Sequence, residues 1–488
     1  MITGQYWKLH DDATLRRIDD AVVRLLTRSG ARIEHDGLLG MLEGAGCRVD
    51  RPARRARFTE RLIRDALGRV GARTGDSVAI PSGWSPRWRA GHGGSFPHLL
   101  EWPGGERRLA TRQDVIDLAR MGHALEEMES VGRVVTCGEV DPRIEPLWTT
   151  VQLAKTTDKP IGGGEVFFPE HVEPLVRMGE VLSGEPGDTS LIAGCDFFIA
   201  PLILDRRQAE CFLEKRRFGI RNCPGTMAVS GMSAPVTLAG TIALALAELV
   251  AGWVLGYVVA PDLAAEGLVC TGSLDMRTMA ACFGSPEAKL QDVAVVDAAR
   301  RLYGIPVHAV IGYTDAKRPG LEAAFLKMLP LLGIPFGTAR TPDGQGLLSA
   351  GQDYSPVQHV LDREMSKACE RFWGHYELDD ETRALDLIEE QLARPSVNFL
   401  ETAHTLRHFR QEQWYPRWFD RSLWQGAALE TRAEDEMLRR IDAYVRDAVR
   451  RYEPPALPAG RTAELERILR AAERSAAERV GAACAPAA

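Results

Sequence analysis

The feature that most constrains the fold is a regular beat in the middle of the chain. Between about residues 131 and 401, short apolar runs rich in β-branched residues alternate with amphipathic stretches of helical length. The runs lie at 131–136, 160–165, 190–196, 222–227, 267–271, 306–311, 334–339 and 396–401. Eight such beats, most of them thirty to forty-five residues apart, predict an α/β chain folded as a (β/α)8 TIM-type barrel. A barrel of this kind carries its working residues at the C-terminal ends of its strands. The beat therefore says where the chemistry lies before it says what the chemistry is.

The rest of the chain is arranged around that centre. Residues 1–125 read as a helical region packed on the barrel, 126–403 as the barrel, 404–475 as C-terminal helices closing it, and 476–488 as a disordered Ala-rich tail. Leu15, Ile18, Val22 and Leu25 mark one face of a helix over 13–29 that stops at Gly30. Further helices are predicted over 35–44 and over 59–70, the latter capped by Thr59. Thr111 and Asp114 form a capping-box pattern, and two more helices fall at 355–373 and 380–393.

Bulk properties exclude several classes. A net charge of -7 argues against a nucleic-acid binder, which carries a basic face. The nine cysteines include no CxxC pair and are odd in number, so they read as reduced thiols of a cytoplasmic protein. The first residues lack the layout of a signal peptide. The long apolar stretch 236–260 carries Glu248 and reads as a buried helix, not a membrane span. Neither a P-loop nor a GxSxG elbow occurs. Gly162–Gly164 reads as a tight βα turn. His404 and His408 have zinc-like spacing but lack the Glu of HExxH, so they read as a structural pair.

The ends of the runs repeat one combination, an acid beside an aromatic. Run one offers Glu139 and Asp141; run two, Glu165, Phe167 and Phe168; run three, Asp196, Phe197 and Phe198. Run six offers Tyr313, Asp315 and Lys317; run seven, Phe336 and Arg340, followed by a Gly-rich segment with Tyr354; run eight, Glu401, His404 and His408. Carboxylates neutralise a cationic ligand, and aromatic faces hold a methylated ammonium that has no N–H to donate. The candidate cation site is Glu139, Glu165, Phe167, Asp196, Tyr313 and Tyr354, with Asp315 and Lys317 fixing the turn after run six. For any one of these the plain alternative is a helix cap or a core residue.

Segments spread over most of the chain resemble the trimethylamine methyltransferase family. They include TTDKPIGGG at 156–164, SAPVTLAGTIALALAELVAG at 233–252, FGSPEAKLQDVAVVDAARRLYGIPV at 283–307, GYTDAK at 312–317 and HTLRHFRQEQWYPRWFDR at 404–421. The resemblance implies a TIM-type barrel and transfer of a methyl group from an amine to the cobalt of a corrinoid (cobalamin) carried by a small partner protein. Cobalt(I) would be the nucleophile, and no permanently bound cofactor or metal is expected. Members of the family that use pyrrolysine act on trimethylamine, and this chain holds only the twenty standard residues. It therefore resembles the branch that acts on glycine betaine and related quaternary amines. A betaine carboxylate would need a donor, and Arg340 is the candidate. The resemblance also leads us to expect a cytoplasmic homo-oligomer. The chain departs from the family pattern at RPGLEAAFLK after run six and at TPDGQGLLSAGQDY after run seven. Those departures keep two alternatives open: methyl transfer to a small acceptor without a corrinoid, and a non-catalytic binder of methylated amines.

Overall fold

The computed structural model describes residues 8–74, 94–126, 128–310, 312–338, 345–374, 376–423, 433–458 and 460–484. The N-terminal helices form where caps and glycine stops place them. α1 (Asp12–Arg24) is capped by Asp11 and runs on as a wider turn, Leu25–Ser29, until Gly30 adopts φ 69°. A side chain at Gly30 would collide with the carbonyl of Ala56, so this stop is also a close approach. α2 (Asp36–Gly44) starts at His35, and α3 (Glu60–Thr74) at Thr59, whose hydroxyl accepts from Leu62 N at 3.3 Å. α4 (Arg112–Ala124) carries the full Thr111/Asp114 capping box. Between these helices lies a small sheet of three-residue strands, Ala31–Ile33, Arg48–Asp50 and Arg55–Arg57, which the helical pattern did not announce.

Six of the eight runs carry strands. They are β1 (Val131–Gly132), β2 (Ile161–Gly162), β3 (Cys195–Phe197), β4 (Cys223–Thr226), β5 (Gly267–Val269) and β6 (Val307–Ala309). β1 pairs β2 in parallel, and β3, β4, β5 and β6 form a parallel sheet in that order. A parallel bridge between Gly164 and Ile192 connects the two groups. Parallel neighbours require crossovers, supplied by α5 (Glu145–Thr156), α6 (Val172–Ser183), α7 (Arg206–Arg217), α8 (Leu238–Val259) and α9 (Pro286–Tyr303). The protein is thus a mixed α/β fold. Its largest core lies where α1, α3 and α9 pack around α8.

α8 is long and apolar enough to cross a membrane, but most of it is buried inside the protein. Its Glu248 is fully buried, accepting from Leu202 N at 2.8 Å and from the Thr226 hydroxyl at 2.6 Å. Burial pushes this carboxyl up to about 7.

Runs seven and eight are not strands. The described residues of run seven, 334–338, lie inside α10 (Leu321–Thr338), a helix that contains Pro330 and Pro335. A short apolar run inside a helix apolar on most sides shows no period to separate it from a buried strand. Run eight is irregular and exposed, with Val397, Phe399 and Leu400 on the surface. Hydrogen bonds instead continue from residues beyond β6 to a different segment. Ala350 N donates to Thr314 O at 2.7 Å, and Ser349 N to Ala316 O at 2.8 Å. The strand Asp353–Tyr354 then pairs in parallel with His98–Leu100, and Phe96 bridges in parallel to Val135.

The C-terminal part is helical: α11 (Pro356–Trp373), α12 (Asp380–Arg383), α13 (Leu385–Leu392), α14 (Ala403–Glu412), α15 (Ala433–Arg450) and α16 (Arg461–Cys484). α16 packs on α5 and α6, and its helix runs on through most of the segment expected to be a disordered tail.

Candidate active site at the strand ends

Side chains alternate between the two faces of a strand, so residues that meet helices identify the other face. Asp196 of β3 bonds Lys215 Nζ at 2.7 Å and the Arg216 guanidinium, both on α7. Pro224 of β4 lies under Gly252 of α8, and Thr226 bonds Glu248. After β5, Thr271 bonds Asp292 of α9 at 2.8 Å. These residues face the helices. Cys195, Phe197, Cys223, Gly225, Leu268, Cys270 and His308 therefore share the inner face. The Cys195 and Cys223 sulfurs approach to 3.4 Å across it. Phe197 lies across Gly225, where a Cβ would come within 2.6 Å of its ring. Cys195, Phe197, Leu268 and His308 are only half-buried, so solvent reaches this face. At the N-terminal end of these strands, Glu266 meets Arg221 and His308 at 3.3 Å each.

At the opposite, C-terminal end, the structure assembles one acid–aromatic cluster. The Tyr313 and Phe283 rings are 5.6 Å apart, inclined at 42°. Asp315 Oδ1 accepts from Phe283 N at 3.1 Å, which ties the turn after β6 to the residue carrying the second ring. Gly351, at φ 80°, sits against the Tyr313 ring so closely that a Cβ would collide with it. Tyr313 and Asp315 are half-buried. Burial raises the Asp315 carboxyl above its usual range, while the Phe283 and Gly284 amides, then Lys317 and Lys289, pull it back. Lys289 is itself buried and paired with Asp292 at 2.9 Å. Lys317 turns back to bond the Asp315 carbonyl. Phe283 escaped the sequence reading because it follows a hairpin, Gly272–Asp275 with Ala280–Cys282, and not a strand of the beat.

Glu165, at the end of β2, is half-buried, and no donor among the described residues reaches its carboxylate. Burial raises it, against the pull of Lys215 and Arg133. Its backbone carbonyl accepts from the buried Arg133 at 2.8 Å. Gly164 leaves room for that guanidinium, and a Cβ at Gly163 would lie 2.7 Å from Ser190 O. Close packing is thus the role of this glycine run.

The other expected residues lie elsewhere. Asp196 faces α7 and is closed off by two cations, so it cannot also meet a ligand on the inner face. Glu139 is exposed and accepts from Arg112 N at 2.9 Å, capping α4. Phe167 is 37% exposed, outside the Tyr313 cluster. Tyr354 is 1% exposed, with its hydroxyl 3.0 Å from His359 Nδ1, inside the second core. Arg340 lies outside the described residues.

Comparison with known proteins places this geometry in context. The family model for trimethylamine methyltransferase matches residues 3–476. A trimethylamine methyltransferase of Desulfitobacterium hafniense (strain DSM 10664 / DCB-2) is 26% identical over 484 residues, covering 95% of this chain and 93% of that protein. A glycine betaine methyltransferase of Desulfitobacterium hafniense (strain Y51) is 25% identical over 471 residues, covering 93% and 95%. The crystal structure of the Methanosarcina barkeri monomethylamine methyltransferase aligns over 90% of this chain and 94% of its own, with a TM-score of 0.45 and 12% identity.

Proposed function

From the premise that the chain belongs to the trimethylamine methyltransferase family, we propose that it moves a methyl group from a betaine-like quaternary ammonium to the cobalt of a corrinoid carried by a partner protein. The observation that carries the substrate reading is the cluster of Tyr313, Phe283 and Asp315 at the C-terminal end of β6. Two inclined rings and a carboxylate suit a methylated cation better than a hydrogen-bonding ligand.

Charge decides which acid comes first. Around Glu165 lie Arg133, Lys215 and Arg216, against Asp196, Glu145 and Glu165 itself, three cations to three anions. That cluster is balanced without a ligand. Around Asp315, Lys289 is neutralised by Asp292, and Lys317 is exposed to water. Asp315 is therefore the primary counter-charge, and Glu165 a second carboxylate on the same end of the sheet.

In this reading the strands close into a ring. The six parallel strands are joined by Asp353–Tyr354 and His98–Leu100, which makes eight staves and completes a barrel without runs seven and eight. The half-buried inner face is then the wall of a chamber. A quaternary ammonium leaves as a neutral amine, so no acid has to protonate it. The chain's own task is to orient the cation, balance its charge and exclude water. The corrinoid supplies the nucleophile that accepts the methyl group. Tyr313, Phe283, Asp315 and Glu165 are fitted to a cation, and the corrinoid is read as resident on the partner. The protein acts in the cytoplasm, as a homo-oligomer, on a small molecule.

The test is calorimetric titration with glycine betaine, other betaines, choline and trimethylamine. Quaternary ligands should bind more tightly than trimethylamine, and Asp315→Asn should weaken them selectively. Equal binding of all ligands by Asp315→Asn and the parent would remove the cluster from the site.

A further inference from the structure

Remote from the strand ends, the arm formed by residues 376–417 is ordered on almost no core. Gln391 alone in it is buried, while Leu378, Leu385, Leu392, Leu400 and Leu406 are all more than half exposed. Hydrophobic burial therefore contributes little to its order, and polar contacts must do more. Some are local, such as the Asp379/Thr382 capping box of α12 and the bond from Asn398 N to Gln391 Oε1 at 3.0 Å.

One convergence links separate elements. Glu381 extends from α12, and His404 and His408 lie four residues apart on one face of α14. His408 Nε2 is 3.1 Å from Glu381 Oε1, His404 Nε2 is 3.2 Å from the Glu381 carbonyl oxygen, and the two imidazoles are 4.4 Å apart. One donor atom from each side chain falls within 4.8 Å of the other two. A tetrahedral zinc with bonds of ~2.0–2.2 Å holds its ligands ~3.4 Å apart, so modest side-chain rotation closes the set. A cavity of about 720 Å³, bordered by Asp380, Glu381, Glu401 and His404, lies alongside and leaves room for a fourth ligand. Arg407, 3.1 Å from Glu381 Oε1, is the competitor that the ion would displace.

The two histidines alone read as a structural pair because the acid is not in their motif. It arrives from 23 residues upstream, where only the fold brings it near. We propose that Glu381, His404 and His408 bind one Zn²⁺, with water in the fourth position, and that the ion pins α12 to α14. Two neutral imidazoles and a carboxylate form an established zinc donor set, and an ion joining two helices replaces the core that this arm lacks.

The test uses untagged full-length protein stripped with a chelator and titrated with ZnCl₂ by equilibrium dialysis and calorimetry. One tight equivalent per chain is expected. His404→Gln and His408→Gln should each weaken it by about 100-fold, the upper end of what loss of a mere outer-shell partner costs. Glu381→Gln gives a third variant that spares the imidazoles. Zinc should also slow tryptic cleavage in the arm, at Arg383, Arg407 and Arg410, in the parent but not in the variants. No saturable binding would overturn the proposal. So would equal affinity in the histidine variants, which would place the ion on the free thiols, or arm cleavage indifferent to zinc.

Discussion

Asp196→Ala separates a structural carboxylate from a substrate ligand. The Asp196 side chain is 4% exposed and is bonded to Lys215 and Arg216, whose side chains are 1% and 2% exposed. Its removal leaves two buried cations without their carboxylate, each holding only a backbone carbonyl, of Cys195 and of Ile220. Stranding a buried charge in this way costs ~3–5 kcal/mol. At ~2.1 cal/mol/K per residue, unfolding a chain of 488 residues carries an entropy of about 1 kcal/mol/K. The melting temperature should therefore fall by ~3–5 °C in scanning calorimetry. Lys215→Met should cost less, because it leaves Asp196 paired one-to-one with Arg216. The fraction that remains folded should keep its KM for the quaternary amine within about twofold, since Asp196 faces α7. An unchanged melting temperature with a large rise in KM would refute the reasoning and return Asp196 to the cation site.

Four further outcomes follow from the geometry. Tyr313→Phe keeps the ring and should leave KM nearly unchanged, while Tyr313→Ala or Phe283→Ala should raise it by ~2–30-fold, the range of ~0.5–2 kcal/mol per cation–π face. Gly351→Ala should raise KM in the same direction, because its Cβ displaces the Tyr313 ring and its φ of 80° disfavours a side chain; a crystal structure with the ring unmoved would contradict this. Substrate affinity should fall on acidification at a pH above the usual aspartate range, because burial raises Asp315 and only its ionised form balances the cation; Asp315→Asn should abolish that dependence. Glu248 is raised from 4.5 to about 7, so its contribution to stability is fully present below the unfolded value and is lost as pH rises through about 7. That loss amounts to about 3 kcal/mol by pH 8, and Glu248→Gln should flatten the fall in melting temperature between pH 5 and 8.

Local signals were the legible part of the fold. The Thr111 capping box and the Gly30 stop depend on a few adjacent residues, and both appear where the sequence puts them. β1 to β6 were legible because each is an apolar run between helices of distinct period. The last two staves of the proposed ring were not. Asp353–Tyr354 and His98–Leu100 are two and three residues long and partly polar, and their pairing is set by chain segments more than two hundred residues apart. The site divides along the same line. Tyr313 and Asp315 are neighbours in sequence and meet at one strand end. Phe283, some thirty residues upstream, joins them only in the fold, through its ring contact with Tyr313 and its backbone bond to Asp315. Asp196 looked like a ligand because it adjoins Phe197, yet alternation along a strand sends adjacent residues to opposite faces. Glu139 met the commonest fate of a strand-end acid and caps a helix.

The central claim is methyl transfer from a quaternary ammonium to cobalt. Its most direct test is to incubate the full-length protein with chemically reduced cobalamin and each member of a panel of betaines, following the absorbance spectrum under anaerobic conditions. The account predicts time-dependent formation of methylcobalamin with at least one quaternary amine, an equivalent amount of demethylated amine, and strong slowing by Asp315→Asn. Demethylation that proceeds with no cobamide present, or no methylcobalamin with any member of the panel, would contradict it.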